Sequence, residues 1–461
     1  MMRRAVVALL VCGASAGAQE AASAAQSRDA LTLSRAVERA LASHPSIAGA
    51  RAGHDRALAE LGDARAAERP RVTADASLTQ FQEPMVVLPL HGFDPGNPPL
   101  FDRSLVQSGV SFGWTLYDFG QRSARVRAQG ALGDAAFAAV STAERQIIAR
   151  TSNAYVRVLS ARGVLAAHDQ RIAALRAAAG RMRSLLAEGK AARVEQLRVD
   201  AETQRAIADR IGTEAQLALA QQELAQLMGV SVRELGEFPP LGIVLPRTVA
   251  GDFATDTTDA SRRALVAQAV KSSSELRELD DRSRAASALV AASHATRYPE
   301  LRALGAVVDR GRLKGDFAAE WQLGVALSYP LYTGGSRTHV IARAEADERA
   351  LRQQTLVARL NVESGIDRAL AALREAHART AALESAVEQS TEVSRIERLS
   401  IDVGSGTQSD FLAAEAALLQ VRAGLIEARN AEFSARVELA RLTGELTREW
   451  IARAAGTTNS P

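Results

Sequence analysis

The chain carries one structural plan written twice. Glu223-Leu224-Ala225-Gln226-Leu227-Met228-Gly229 recurs as Glu438-Leu439-Ala440-Arg441-Leu442-Thr443-Gly444, so position 229 maps onto 444, an offset of 215. The same offset pairs Gly189 with Gly404, Leu197 with Leu412, Leu116-Tyr117 with Leu331-Tyr332 and Gln107 with Gln322. Upstream the offset is 229, pairing Pro70 with Pro299 and Pro45 with Ser274. A single insertion of 14 residues between Pro70 and Gln107 accounts for the change. Whatever one copy folds into, the other must therefore fold into as well.

Proline placement marks the helices. None falls between Pro99 and Pro239, or between Pro330 and Pro461. An interior proline costs a helix about 3 kcal/mol, so these gaps are helical territory. In the first, Ala154, Val158, Ala161, Leu165, His168, Ile172, Leu175, Ala179, Met182 and Leu186 alternate at spacings of four and three, a heptad seam. The pattern predicts a helix from Gln121 to Glu188, about 100 Å long. Gly189 ends it, and a second helix returns over 192–228. An opening helix is expected from Ser34 to Glu68. Half-length helices beside full-length ones suggest a rod of paired helices.

Between short and long helices the period changes to two. Val106, Val110, Phe112, Trp114 and Leu116 point one way, and Gln107, Gly109, Ser111, Gly113 and Thr115 the other. Such alternation is a strand, long enough to cross a bilayer when tilted. Its partner is expected over 72–81, with the intervening loop holding Pro84, Pro89, Pro95, Pro98 and Pro99. The second copy repeats the hairpin, with 301–308 turning back as Trp321, Leu323, Val325, Leu327 and Tyr329. Trp114, Tyr117, Trp321, Tyr329 and Tyr332 are expected at strand ends, as membrane-interface aromatics. Four strands cannot close a barrel, and an open edge in lipid leaves backbone groups unpaired at several kcal/mol each. The chain must associate with itself, in two copies or three.

Composition narrows the alternatives. Aromatic residues are only 4% of the chain, and the 47% apolar content is mostly Ala, Leu and Val, which suits closely packed helices. The 56 basic and 53 acidic residues nearly cancel and interleave along the helices, with no basic block interspersed with aromatics; nucleic acid is not an expected partner. Arg3-Arg4, an apolar run and Ala16-Gly17-Ala18 form a secretory signal expected to be cut after Ala18. The one cysteine, Cys12, lies inside it, and Val11 before it is a poor fit to a lipid-anchor site. No apolar run of about 18 residues follows, so no membrane-spanning helix is expected. The organisation reads as a signal peptide (1–18), a first repeat (31–230, hairpin 72–118), an intervening segment (231–261), a second repeat (262–446, hairpin 301–332) and a tail (447–461).

Catalytic chemistry is not expected. Gly13-Ala14-Ser15-Ala16-Gly17 has the spacing of a nucleophile elbow but sits in the signal. Gly404-Ser405-Gly406 has no strand before it and no lysine after it, as a phosphate loop would need. The seven histidines lack metal-ligand spacing, and His168 on the seam reads as a polar layer fixing register. Neither cofactor nor metal is called for. Two turns do carry a hypothesis: Gly189 and Gly404 are each followed six residues on by an acid, Glu195 and Asp410. One reading is helix-start chemistry, since Thr407-Gln408-Ser409-Asp410 fits a capping box. The other is a ring of carboxylates, copied by symmetry around a narrow mouth, that attracts cations and gates passage.

Three stretches carry a resemblance. Gly113-Trp114-Thr115-Leu116-Tyr117-Asp118-Phe119-Gly120-Gln121-Arg122, Ser328-Tyr329-Pro330-Leu331-Tyr332-Thr333-Gly334-Gly335 and the tip from Val403 to Leu412 resemble signatures of the TolC-like outer membrane efflux proteins. The likeness runs from about Leu31 to Gly444, in order and duplicated as that family is. It implies a mostly α fold with membrane β: a homotrimer whose four strands per chain complete a 12-stranded barrel in outer membrane lipid, above a long periplasmic α-barrel. The segment 231–261 and the tail would belong to a belt around that α-barrel. The implied function is a passive exit duct for a tripartite efflux pump or type I secretion system. Its implied partners are a periplasmic adaptor (membrane fusion protein) and an inner membrane pump of RND or ABC type. Asp410 falls where the family places an aperture aspartate; a second aspartate of some members falls at Ala413, where this chain departs. The adaptor would dock at the turns marked by Gly189, Glu195, Leu197, Val403, Gly404 and Leu412. A periplasmic coiled-coil scaffold or adaptor without a pore is the alternative, set apart by the alternating strands.

Overall fold

The computed structural model describes residues 31–86, 96, 101–238, 259–403 and 405–456. The signal segment with Cys12, Gly404, the prolines at 89, 95, 98 and 99, and most of 231–261 lie outside the described residues. The first copy runs α1 (Leu33–Ser43), α2 (Pro45–Ala66), β1 (Arg71–Val86), β2 (Phe101–Tyr117), α3 (Gln121–Ala187) and α4 (Arg193–Met228). The second runs α5 (Asp259–Ser272), α6 (Ser274–Ala295), β3 (Glu300–Arg312), β4 (Gly315–Ser328), α7 (Ser336–Asp402) and α8 (Gln408–Leu442). A last helix, α9 (Arg448–Gly456), follows. The two long helices are 67 residues each, about 100 Å at 1.5 Å per residue.

Two expectations need correction. The opening helix is two helices, broken at His44, whose backbone is extended (φ −70, ψ 125). Pro45 clashes with a helical predecessor yet is well placed as a first helical residue, so it ends one helix and starts the next. The second copy breaks at the matching Ser273 without a proline. Pro84, assigned to the loop, lies inside β1, and the pairing with β2 shifts register between Gln80 and Met85. A proline has no N–H for the ladder, so the strand carries it at an irregularity.

The chain forms two compact units, each drawing on both copies. The first comprises residues 1–49, 141–274 and 359–461. Its core joins Val37 and Leu41 of α1, Tyr155 and Val158 of α3, Leu224 and Met228 of α4, Phe433 and Val437 of α8, and Trp450 and Ile451 of α9. Along α3 the seam residues Ala154, Val158, His168, Ile172, Leu175, Ala179 and Met182 are buried, with Ala161, Leu165 and Leu186 half-buried. One joint occurs twice. Ser43 donates to the Met228 carbonyl at 2.7 Å, and Ser272 donates to that of Thr443. Each serine presses on a left-handed glycine, Gly229 (φ 65) or Gly444 (φ 76), where a Cβ would stand 3.1 Å from Ser43 Oγ or 2.7 Å from Ser272 Cβ. Conformation and space both demand glycine there.

The second unit comprises residues 50–140 and 275–358. Its sheet is antiparallel in the order β1-β2-β3-β4. Among the described residues, β1 and β4 each pair on one side only, so two edges stay open.

Candidate functional site

The register sorts the sheet into two faces. Val72 pairs with Phe112 and Ala74 with Val110; Val110 pairs with Val307, and Val307 with Trp321. Leu323, Val325 and Leu327 continue the same face, as partners of Gly305, Ala303 and Leu301. Ser108 and its partner Asp309 interrupt this otherwise apolar surface. The opposite face carries the row Thr73, Ser111, Ala306, Gln322 and the row Asp75, Gly109, Val308, Glu320. Thr73 and Ser111 share a hydroxyl hydrogen bond of 2.7 Å, and Arg310 donates to Glu320 at 3.1 Å. The Phe112 ring presses on Gly305, where a Cβ would meet it at 2.3 Å. One greasy face, one polar face and two unpaired edges suit a wall between lipid and water.

Four of the five expected belt aromatics gather at the helix-side end of the sheet. Trp114 donates its indole N–H to the Glu68 carbonyl at 2.9 Å, and Tyr117 closes β2. Tyr329 follows β4 directly, with the Arg337 guanidinium 5.3 Å over its ring, and Tyr332 precedes α7. Trp321 does not join them. It stands mid-strand opposite Val307, because β4 starts at Gly315, well before the alternating run suggests. Two aromatics that sequence reasoning missed complete the group. Phe119, the one described non-glycine residue with positive φ (53°), stacks on Tyr298 at 4.8 Å and meets Tyr117 edge-on at 4.7 Å. Tyr298 could have been found from its place beside Pro299, opposite Arg69 beside Pro70 in the first copy.

The two helix-helix turns share a closing geometry. The N–H of Lys190 reaches the Leu185 carbonyl and that of Gly189 the Leu186 carbonyl, a Schellman closure around a left-handed Gly189 (φ 71). In the second copy Ser405 donates to the Ser400 carbonyl, the same long bond 215 positions on. The acids differ. Glu195 accepts from Arg198 at 2.9 Å in the first turn of α4, whose cap residue Ala192 offers no side-chain bond. Exposed Asp410 accepts from the Thr407 hydroxyl at 2.6 Å, while that oxygen accepts from the Asp410 N–H at 3.2 Å. Half of a capping box is thus in place, with the acid on the hydroxyl rather than the cap N–H. Leu197 and Val403 stand exposed, at 57% and 73%. Leu412 points inward, packed against Ala178, Ala179 and Phe411 on one side and Ile172 and Leu175 on the other.

Fully buried Phe411, next to Asp410, is the side chain that holds the tips, and sequence reasoning passed over it. It packs on Ala178, Ala179 and Val199, so both helical hairpins meet on it. Arg398 lies 5.8 Å over its ring and 3.5 Å from buried Glu415, which accepts from Ser394. Higher on α3, burial pushes the His168 imidazole down from its ordinary pKa, against the pull of Asp209, and its Nδ1 has no hydrogen-bond partner among the described residues. Beyond the sheet, burial alone would raise the Asp118 carboxyl, but bonds from Arg122 and nearby N–H groups outweigh it and hold it low. Among the described residues no cluster of three metal-ligating side chains occurs, and no helix is long and apolar enough to cross a membrane.

Comparison with known proteins gives this geometry a context. Residues 36–230 and 265–445 match the family described as outer membrane efflux protein. Nodulation protein T of Rhizobium leguminosarum bv. trifolii is 22% identical over 325 residues, 69% of this chain and 67% of that protein. The CmeC outer membrane channel of Campylobacter jejuni superposes with a TM-score of 0.75 at 14% identity, over 90% of this chain and 85% of that one. VceC of Vibrio cholerae gives 0.73 at 20%, over 89% and 96%. The open-state MtrE channel of Neisseria gonorrhoeae gives 0.73 at 18%, over 91% and 90%. At such identities the likeness is one of fold. The family and these structures are channels, which favours a pore over a poreless scaffold. The two matched stretches take up most of both copies, and the chain belongs to the outer membrane efflux protein family.

Proposed function

We propose that three copies of this chain join their β1 and β4 edges into a twelve-stranded barrel in the outer membrane and serve as the exit duct of a tripartite exporter. The carrying observation is a four-stranded sheet with one apolar face and two open edges. Every backbone group in lipid needs a partner, and only closure supplies them. The energy for transport comes from an inner membrane pump, RND or ABC, reached through a periplasmic adaptor. Exposed Leu197 and Val403 at the two turns offer that adaptor apolar anchors. Gly189 and Glu195 shape the first turn, and Leu412 acts from inside by holding the hairpin; Gly404 at the second turn lies outside the described residues. No step requires catalysis or a cofactor.

Asp410 serves as the aperture acid and shares that role with capping. With Ala413 at the second family position, a single carboxylate ring narrows the mouth. Asp410→Asn is expected to raise open-state conductance or relieve cation block with folding intact. Unchanged conductance across several salts would return Asp410 to capping alone. For the duct as a whole, the test is export: a deletion strain with no second copy of the gene should retain cargo inside, and normal export would refute the role.

A further inference from the structure

The helix-side end of the sheet gathers cations as well as aromatics. Arg69 and Arg297 occupy the two turns that lead from a helix into a strand, one before Pro70 and the other just before Tyr298. Arg337, the second residue of α7, lies over Tyr329. Arg69 and Arg297 are exposed, and among the described residues none of the three has a carboxylate partner. Neighbouring arginines differ: Arg122 is tied to Asp118 at 2.8 Å, and Arg302 to Glu300 at 2.9 Å. At the loop end, Arg310 is likewise paired, with Glu320. Among the described residues Arg103 and Lys314 at the loop end also lack a carboxylate partner, so what sets the helix-side end apart is the aromatics that stand beside its arginines.

The apolar partners stand beside these charges. Leu331 and Tyr332 are 90% and 89% exposed, the highest values among the described large hydrophobic side chains. Phe119, held in a left-handed backbone conformation, turns its ring onto Tyr298, beside Arg297. Left-handed backbone is rare for a bulky residue, so the chain accepts local strain to keep this aromatic pair together. Rings with one polar edge settle at the level of lipid headgroups, and arginines there meet phosphate with paired N–H groups. A second copy of the chain would need several acidic complements, and of the acids at this end Asp118 and Glu300 are taken by Arg122 and Arg302, which leaves Glu68 against three arginines.

We propose that Arg69, Arg297 and Arg337, with the surrounding aromatics, form a collar that binds the phosphate headgroups of anionic phospholipids in the membrane leaflet nearest the helices. The inference rests on the outer membrane reading above. The collar fixes the depth of the barrel and selects its neighbouring lipids. One arginine per headgroup near a charged surface corresponds to about a fivefold preference.

The test uses the full-length protein in bilayers of phosphatidylethanolamine with spin-labelled phosphatidylglycerol or spin-labelled phosphatidylethanolamine as probes. Wild type is expected to favour the anionic probe about fivefold, less so in high salt as the charges are screened. The triple variant R69Q/R297Q/R337Q should lose that preference, whereas K314Q at the loop end should keep it. Equal association of both probes with wild type, or a preference that survives the triple variant, would overturn the proposal. Loss of oligomers in the triple variant, with no lipid preference in wild type, would overturn it in favour of a protein contact. Conductance is recorded in the same bilayers without anionic lipid. Pores with no lipid preference sink only the collar; a protein that never conducts sinks the channel reading with it.

Discussion

Single side chains set how firmly the tips are held and how the helices respond to pH. Phe411 has no exposed surface and touches both hairpins, so Phe411→Ala removes a packed ring and leaves a cavity. Such truncations cost about 3–5 kcal/mol, and denaturant unfolding followed by circular dichroism should record a loss of that order. A change under about 1 kcal/mol would mean the hairpins are held elsewhere. His168 gives a pH dependence with a definite sign. Burial holds its native pKa below the ordinary value of 6.5, so the unfolded chain takes up the proton first as pH falls. Its contribution is whole above about pH 6.5 and is lost progressively on acidification below that. His168→Leu should flatten stability between about pH 5 and 6.5; an unchanged slope would assign the effect to other groups.

At the scale of elements, the hairpin and helix pattern was the most legible part of the chain. The alternation from Val106 to Leu116 and the proline-free stretches each follow from one local rule, period two or period near 3.6. The helix break at His44 and the position of Trp321 were harder to see. The first needed the effect of Pro45 on its predecessor to outweigh a continuous apolar stripe. The second needed the start of β4 at Gly315, which leaves no signal in a run that alternates through Tyr329. Phe411 and the Phe119–Tyr298 stack depend on contacts between residues far apart in sequence, so no window over the chain reveals them. The sheet offers its own test at Gly305, where the Phe112 ring occupies the space of a side chain. Gly305→Leu should displace Phe112 from the apolar face and lower the yield of assembled protein in membranes, whereas Gly324→Ala, with open space around it, should be tolerated. Similar yields for both would show that the stacking is incidental. The repeated serine joint behaves likewise: Ser43→Ala leaves the Met228 carbonyl without its partner and should cost about 1 kcal/mol.

For the whole molecule, everything depends on what happens at β1 and β4. The family assigns the channel, and the fold agrees, but the number of copies and the closing of the sheet stand on the physics of unpaired strand edges in lipid. The proposed gate at Asp410, the proposed docking turns and the proposed arginine collar all presuppose that assembly. Counting subunits addresses it directly. Native mass spectrometry of full-length protein, extracted from membranes in mild detergent, should show three chains per particle and no stable monomer. A single chain that stays dissolved in detergent-free buffer after cell lysis would contradict the account.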